Sequence, residues 1–270
     1  MSDLVRFGPP DDEPMLPSYG GAFSHAFVAL HPFMEIDGLD PSTCSTGTII
    51  LSGSDFPVGR DFIEWITDVE AQRRAGKEFD GNSLDEIAIQ FAKKVGWRSI
   101  CQDAGFADHC ELDLALRTMI GGLKAELQDQ KLAKRLVDFC QQRGFFLPTE
   151  GRFEPVMQTA LAEVFERAGY TEIYAGDEFG DDDRLVPVNF LANGKPWKGG
   201  DELPSFGPRR LYAPDQTLLA WVHWDSFYTV IFGTEASLRD AKLGENFEGF
   251  WCSEETQTYW LMQPCIPLTQ

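Results

Sequence analysis

The chain has 270 residues, enough for one large domain or two packed subdomains, and its hydrophobic share of 43% is ordinary for a globular protein. Acidic residues number 43 against 23 basic ones, a formal net charge of -20. A field of that sign repels nucleic-acid phosphates and anionic membrane surfaces and attracts basic partners, so direct binding to DNA or RNA is not expected.

Residues 1–20 hold four prolines, two glycines and the run Asp11-Asp12-Glu13, and read as an irregular or mobile arm. Phe23 to Ile36 is rich in apolar residues and is expected to form a mostly buried strand ending at Pro32. Thr48 to Leu51 is a second short strand before the Gly, Ser and Pro punctuation that follows it. The middle of the chain is helical. Asp61 with Glu64 forms a capping pair for a helix reaching about Arg74, closed near Gly76. Ser83 with Glu86 caps a second helix, whose face Leu84, Ile87, Ala88, Phe91, Ala92 and Val95 has helical spacing and whose end is Gly96. Asp108 and Glu111 open a third helix, broken at Gly121-Gly122. A fourth spans about Leu123 to Arg143, and a fifth starts near Pro155 and ends at Gly169.

After Gly169 the apolar period changes from helical to alternating. Thr171–Ala175 and Leu185–Phe190 are expected strands around the acidic loop GDEFGDDD, and Leu203 to Pro214 is loop-rich. LLAWVHW and FYTVIF (from Leu218 and from Phe227) form two adjacent strands joined at Asp225-Ser226. A short helix follows over Glu235 to Leu243, and the aromatic C-terminal end packs back onto the sheet. The fold class is α+β, a central helical cluster packed on a mostly antiparallel sheet formed largely by the C-terminal hundred residues. Beyond the arm of residues 1–20, residues 21–270 form one globular domain, divisible into a helical part, 58–168, and a sheet part, 169–270.

Six cysteines, none in C-x-x-C spacing, are too sparse for a disulfide scaffold and read as free, mostly buried thiols of a cytoplasmic protein. No signal-peptide core and no run of about 18 apolar residues is visible, so no membrane association is expected. The phosphate-loop, dinucleotide, zinc-protease and serine-hydrolase motifs are absent, and no cofactor is expected.

The weaker constellations are these. His223 with Asp225 is a histidine–carboxylate pair able to act as general base, with Ser226 or Cys252 as nucleophile. The blander reading is a rim histidine beside a turn aspartate. Asp177, Glu178, Asp181, Asp182 and Asp183 do not match a calcium loop, and are expected as a solvated acidic loop or a contact surface for a basic partner. Cys101, His109 and Cys110 are too few and too separated for a zinc site. His25 and His31 share a strand face about 20 Å apart and cannot share a metal; no metal is expected. The aromatic C-terminal region, with Trp224, Tyr228 and Trp251 beside Glu254 and Glu255, is expected mainly as core, partly as a binding face. Two functions follow as expectations. The first is a non-catalytic binding protein, an inhibitor or immunity-like protein, for a basic protein partner. The alternative is a small-molecule hydrolase or other enzyme with an aromatic-lined cleft centred on His223 and Asp225.

Overall fold

A computed structural model of the protein describes residues 5, 7–11, 13–44, 59, 61, 64, 65, 67–69, 71, 77 and 81–269. The expected strand at Thr48–Leu51 lies outside the described residues. Of the expected helix from Asp61 to Arg74, the described positions 64, 65, 67–69 and 71 are helical, and Asp61 Oδ1 accepts the Glu64 N–H at 3.0 Å. In chain order the elements are β1 (His25–Leu30), β2 (Phe33–Glu35), α1 (Gly81–Phe91), β3 (Lys93–Val95), α2 (Trp97–Ala104), α3 (His109–Met119) and α4 (Gln130–Arg143). They continue as α5 (Gln158–Arg167), β4 (Glu172–Gly176), β5 (Asp183–Pro187), α6 (Val188–Leu191), β6 (Arg210–Tyr212), β7 (Leu218–Val222), β8 (Tyr228–Gly233), α7 (Glu235–Leu238), α8 (Leu243–Asn246) and β9 (Gly249–Trp251). The α+β class is the one the period changes along the chain imply.

The chain divides into two compact units, one of residues 1–32 with 151–270 and one of residues 33–150. These boundaries differ from 58–168 and 169–270, because α5 and the N-terminal strand belong with the sheet. The first unit is built on a seven-stranded antiparallel sheet in the order β5-β4-β6-β7-β8-β1-β9. One face carries Phe27, Ala29, Ile173, Leu218, Ala220, Val222 and Ile231, packed with Leu161, Val164 and Phe165 of α5. Side chains alternate between faces along a strand, so Leu219 and Trp221 of β7 and Phe232 of β8 turn to the other face. There Phe232 meets the rings of Tyr19 and Phe23 at 4.9 and 5.7 Å, and Tyr228 and Phe250 meet Trp260 at 6.0 and 5.1 Å. Both faces are covered. That is why β7 and β8 are buried at every position and read as continuous apolar runs rather than alternating ones. Each fully buried large side chain contributes roughly 1.5–3 kcal/mol.

The N-terminal arm is irregular, as expected, but it is pinned to the sheet unit. Met15 N–H donates to Thr256 at 2.8 Å, Pro14 bridges Gln257, and Val5, Met15, Leu16 and Tyr19 are buried. The reading of the arm as mobile fails because its apolar residues and its backbone polar groups find partners far along the chain.

The second unit packs α1–α4 with the small sheet of β2 and β3. Asp108 and Asp129 cap α3 and α4 through their carboxylates, and Gly144 closes α4 in the left-handed region. The helix expected to reach Val95 stops at Phe91. Lys93–Val95 instead pairs with Phe33–Glu35, and Lys93 Nζ reaches Asp37 at 2.9 Å. Gly96 then precedes α2, an additional helix, rather than closing α1. Within α3, Asp113 and Arg117 form a fully buried ion pair at 2.9 Å.

Candidate functional site

β7 ends at Val222, and His223 follows it on the face of Leu219 and Trp221. The arm returns across this strand end. Gly8 lies against the Trp221 indole so closely that a Cβ there would sit 2.1 Å from the ring. The β4–β5 connection supplies the opposite wall. The result is a cleft of about 510 Å³ lined by Gly8, Pro9, Pro10, Asp11, Glu178, Phe179, Trp221, Val222, His223 and Trp224. That volume is within the range of small-ligand sites.

A buried arginine holds both walls. Arg210 of β6 is 1% exposed and donates to Val5 O at 2.6 Å, to Asp177 O at 2.8 Å and to Asp183 Oδ1 at 2.8 Å. Its guanidinium lies 5.8 Å from the Tyr212 ring, and Tyr212 Oη donates to Asp183 Oδ2 at 3.0 Å. Burial, reinforced by the Asp183 charge, pushes the Tyr212 phenol well above its ordinary value. Gly176 leaves the room this node needs, since a Cβ there would meet Asp183 at 2.2 Å and Arg210 at 2.6 Å.

At the cleft floor, His223 Nδ1 accepts the Asp225 backbone N–H at 3.2 Å, which assigns the ring proton to Nε2. Nε2 then donates to Asp11 Oδ1 at 2.9 Å. The carboxylate on the imidazole is therefore that of Asp11, and Asp225 contributes its amide. Trp221, Trp224 and Tyr259 rings surround the imidazole at 5.7, 6.3 and 6.2 Å. Histidine and Asp11 differ in exposure: the His223 side chain is 5% accessible and the Asp11 side chain 54%.

Neither expected nucleophile reaches the ring. Ser226 is buried, and its hydroxyl donates to the backbone oxygens of His223 (2.8 Å) and Tyr228 (3.3 Å), stabilising the β7–β8 turn. Cys252 donates its amide to Ala26 O at the sheet edge, and burial pushes its thiol up to about 12, the reverse of an activated nucleophile. Of the expected binding residues, Trp224 lines the cleft and is 64% exposed. Tyr228 is buried in the core, with its hydroxyl on Thr258 O at 2.6 Å. Trp251 lies on β9, the edge strand next to β1, edge-on to His25 and Phe27. Glu254 and Glu255 are exposed beyond β9.

The acidic loop is exposed at Glu178, Asp181 and Asp183, as expected of a solvated loop, but several of its carboxylates are paired. Asp177 Oδ1 accepts the Asp181 and Asp182 amides at 3.1 and 3.4 Å, Asp182 pairs with Arg184, and Asp183 pairs with Arg210. Glu178 lies 3.9 Å from Arg209. The arginines nearby in sequence and on β6 offset most of its charge. His25 and His31 remain apart, bonded to Ser24 (2.8 Å) and Thr229 (3.0 Å) respectively. Cys101 is a buried free thiol within α2, and His109 is the first residue of α3. Cys44, Cys101, Cys140 and Cys252 are free; Cys110 and Cys265 do not carry free thiols.

Asp11 is the residue that sequence reasoning missed as a site. It was visible as one member of an acidic run, but it lies 212 positions from His223, and no local spacing pairs the two. Arg210 was equally silent, within a stretch expected to be loop.

Among the described residues, no helix is long and apolar enough to cross a membrane. No curated protein and no solved structure matches the chain. A family model does match residues 11–262, a span that includes both Asp11 and His223, and the chain belongs to the family described as protein of unknown function (DUF2711).

Proposed function

We propose that the protein is a non-catalytic binding protein, of the inhibitor or immunity-like kind, for a basic protein partner, and that the cleft is where the partner is met. The observation that carries this reading is the state of His223. Both ring nitrogens are engaged, Nε2 with Asp11 and Nδ1 with the Asp225 amide. A general base needs a ring nitrogen directed at the proton it removes. What the cleft offers instead is an exposed carboxylate among aromatic rings, on a chain of net charge -20. Such a surface steers a basic partner and contributes hydrogen bonds to it. A cytoplasmic location accords with the four free thiols and belongs to this proposal, to be tested by fractionation of cells.

Affinity capture from native extract at low and high salt tests the reading. A basic protein retained at low salt and released at high salt is the expected outcome; affinity indifferent to ionic strength refutes it. The enzyme reading is favoured by one observation, a histidine–carboxylate contact of 2.9 Å in a cleft. It requires His223 to give up the Asp225 amide and so free Nδ1. Turnover of any substrate that is lost in His223→Asn is the result that would favour it.

A further inference from the structure

We infer that the cleft is a receptor for a guanidinium group, such as the side chain of an arginine. This deepens the reading of the protein as a binder of a basic partner and rests on it. Three features of the cleft converge on a planar organic cation. First, among the described residues it holds carboxylates with no Lys or Arg lining it: Asp11 and Glu178 are the charged side chains of its wall beside His223. Arg209 is 3.9 Å from Glu178, so Asp11 is the stronger acceptor.

Second, Asp11 is held and yet available. Its Oδ1 accepts from His223, its backbone oxygen accepts from Thr258 Oγ1 at 3.1 Å, and Oδ2 accepts no hydrogen bond among the described residues. The imidazole thus fixes the carboxylate and leaves one oxygen, plus the second lone pair of the other, for a ligand. A fork of two N–H donors fits that arrangement.

Third, the walls beside the carboxylate are aromatic and open. Phe179 is 60% exposed and Trp224 64% exposed, both within the cleft. Large apolar rings left in water beside a fixed anion are an unfavourable surface unless something covers them. A guanidinium stacks on such rings and is weakly hydrated, so it loses less on leaving water than an ammonium does. A hard cation such as calcium takes about six to eight oxygen ligands, more than the two carboxylates among the lining residues supply.

The test is calorimetry on the full chain at low salt with arginine methyl ester, against citrulline methyl ester, which has the same shape and the same α-amino group without the side-chain charge. The arginine ester should bind and the citrulline ester should not. Asp11→Asn keeps an oxygen to accept the His223 proton and removes only the charge. It should weaken the arginine ester roughly tenfold or more, the range of a charge-assisted hydrogen bond. Trp224→Ala, at an exposed position, should also weaken it. Equal binding of the two esters, unchanged binding in Asp11→Asn, or tighter binding of lysine methyl ester overturns the assignment. A short Arg-Gly peptide binding at least tenfold tighter than the ester places the guanidinium on a protein partner. Equal affinity places it on a free small molecule. If Asp11→Asn is silent while a captured basic partner is still released by salt, the cleft assignment fails and the wider reading stands. If capture is indifferent to salt, the wider reading fails whatever the calorimetry gives.

Discussion

Replacing Arg210 by Met tests whether one buried guanidinium holds the walls of the cleft. The substitution keeps most of the volume and removes three donors, to Val5 O, Asp177 O and Asp183 Oδ1. Removing one partner of a buried, hydrogen-bonded charge pair costs about 3–5 kcal/mol. The Asp183 side chain is 30% exposed and rehydrates in part, which pulls the expected loss to about 3 kcal/mol. For a chain of this size each kcal/mol lowers Tm by about 2–4 °C, giving a fall of roughly 6–12 °C for the sheet unit. Urea unfolding followed by tryptophan fluorescence measures the loss, because Trp221 and Trp260 lie in that unit. Limited proteolysis gives a second readout, with cleavage of the N-terminal arm rising before global unfolding. Arg210→Lys, a single-point donor, should fall between the two. A loss below about 1 kcal/mol, with the arm still protected, would refute the role assigned to this residue.

Other expectations follow from single contacts. Gly8→Ala places a methyl 2.1 Å from the Trp221 ring, so the arm must lift, with an expected loss of about 1–3 kcal/mol and a weaker hold on Asp11; denaturation and ester binding both measure it. The Cys140 and Cys252 thiols are pushed up to about 12 by burial, so both should resist alkylation at pH 8 in the folded protein and react once it is unfolded. A raised thiol value binds its proton more tightly folded than unfolded, so their contribution is full below about pH 8.5 and is lost as pH rises toward 12. Burial raises the Asp113 carboxyl, and the Arg117 charge pulls it back down. By the same sign the helical unit gains from Asp113 below about pH 4 and loses that gain as pH rises through the folded value; Asp113→Asn should flatten this part of a pH–stability profile.

Much of the secondary structure was legible because its signals are local. Asp108 shows the cap chemistry in the residue itself, since a carboxylate next to free helical N–H groups needs no tertiary partner; Asp129 was not singled out, and α4 starts at Gln130 rather than at about Leu123. The two apolar runs joined at Asp225-Ser226 became β7 and β8, and the change of period after Gly169 separated helix from sheet. Lys93–Val95 was misjudged because three strand residues continued a helical pattern, and only pairing with Phe33–Glu35 decides between the two. Arg210–Tyr212 was silent for a related reason: a short strand in mid-sheet takes its identity from its neighbours β4 and β7.

The candidate site divides along the same line. His223 stood out in the sequence because histidines are scarce here and this one ends a strand beside a turn. Its partner did not, since proximity in sequence favoured Asp225 whereas the fold supplies Asp11. The carboxylate reaches the ring through an arm held by Arg210, Thr258 and Thr256, which come from two distant stretches of chain. The acidic composition likewise pointed to residues 177–183, where long-range pairing with Arg210 and local pairing with Arg184 offset the charge. Local chemistry and periodicity are written residue by residue, so the sequence alone determined the Asp108 cap, the β7–β8 turn and the α+β class, whereas Ser83, expected as a cap, lies within α1. Which charges are neutralised and which remain open depends on contacts between separate stretches of chain, 27 residues apart for Arg210 with Asp183 and 212 for His223 with Asp11, and only the tertiary structure decided that.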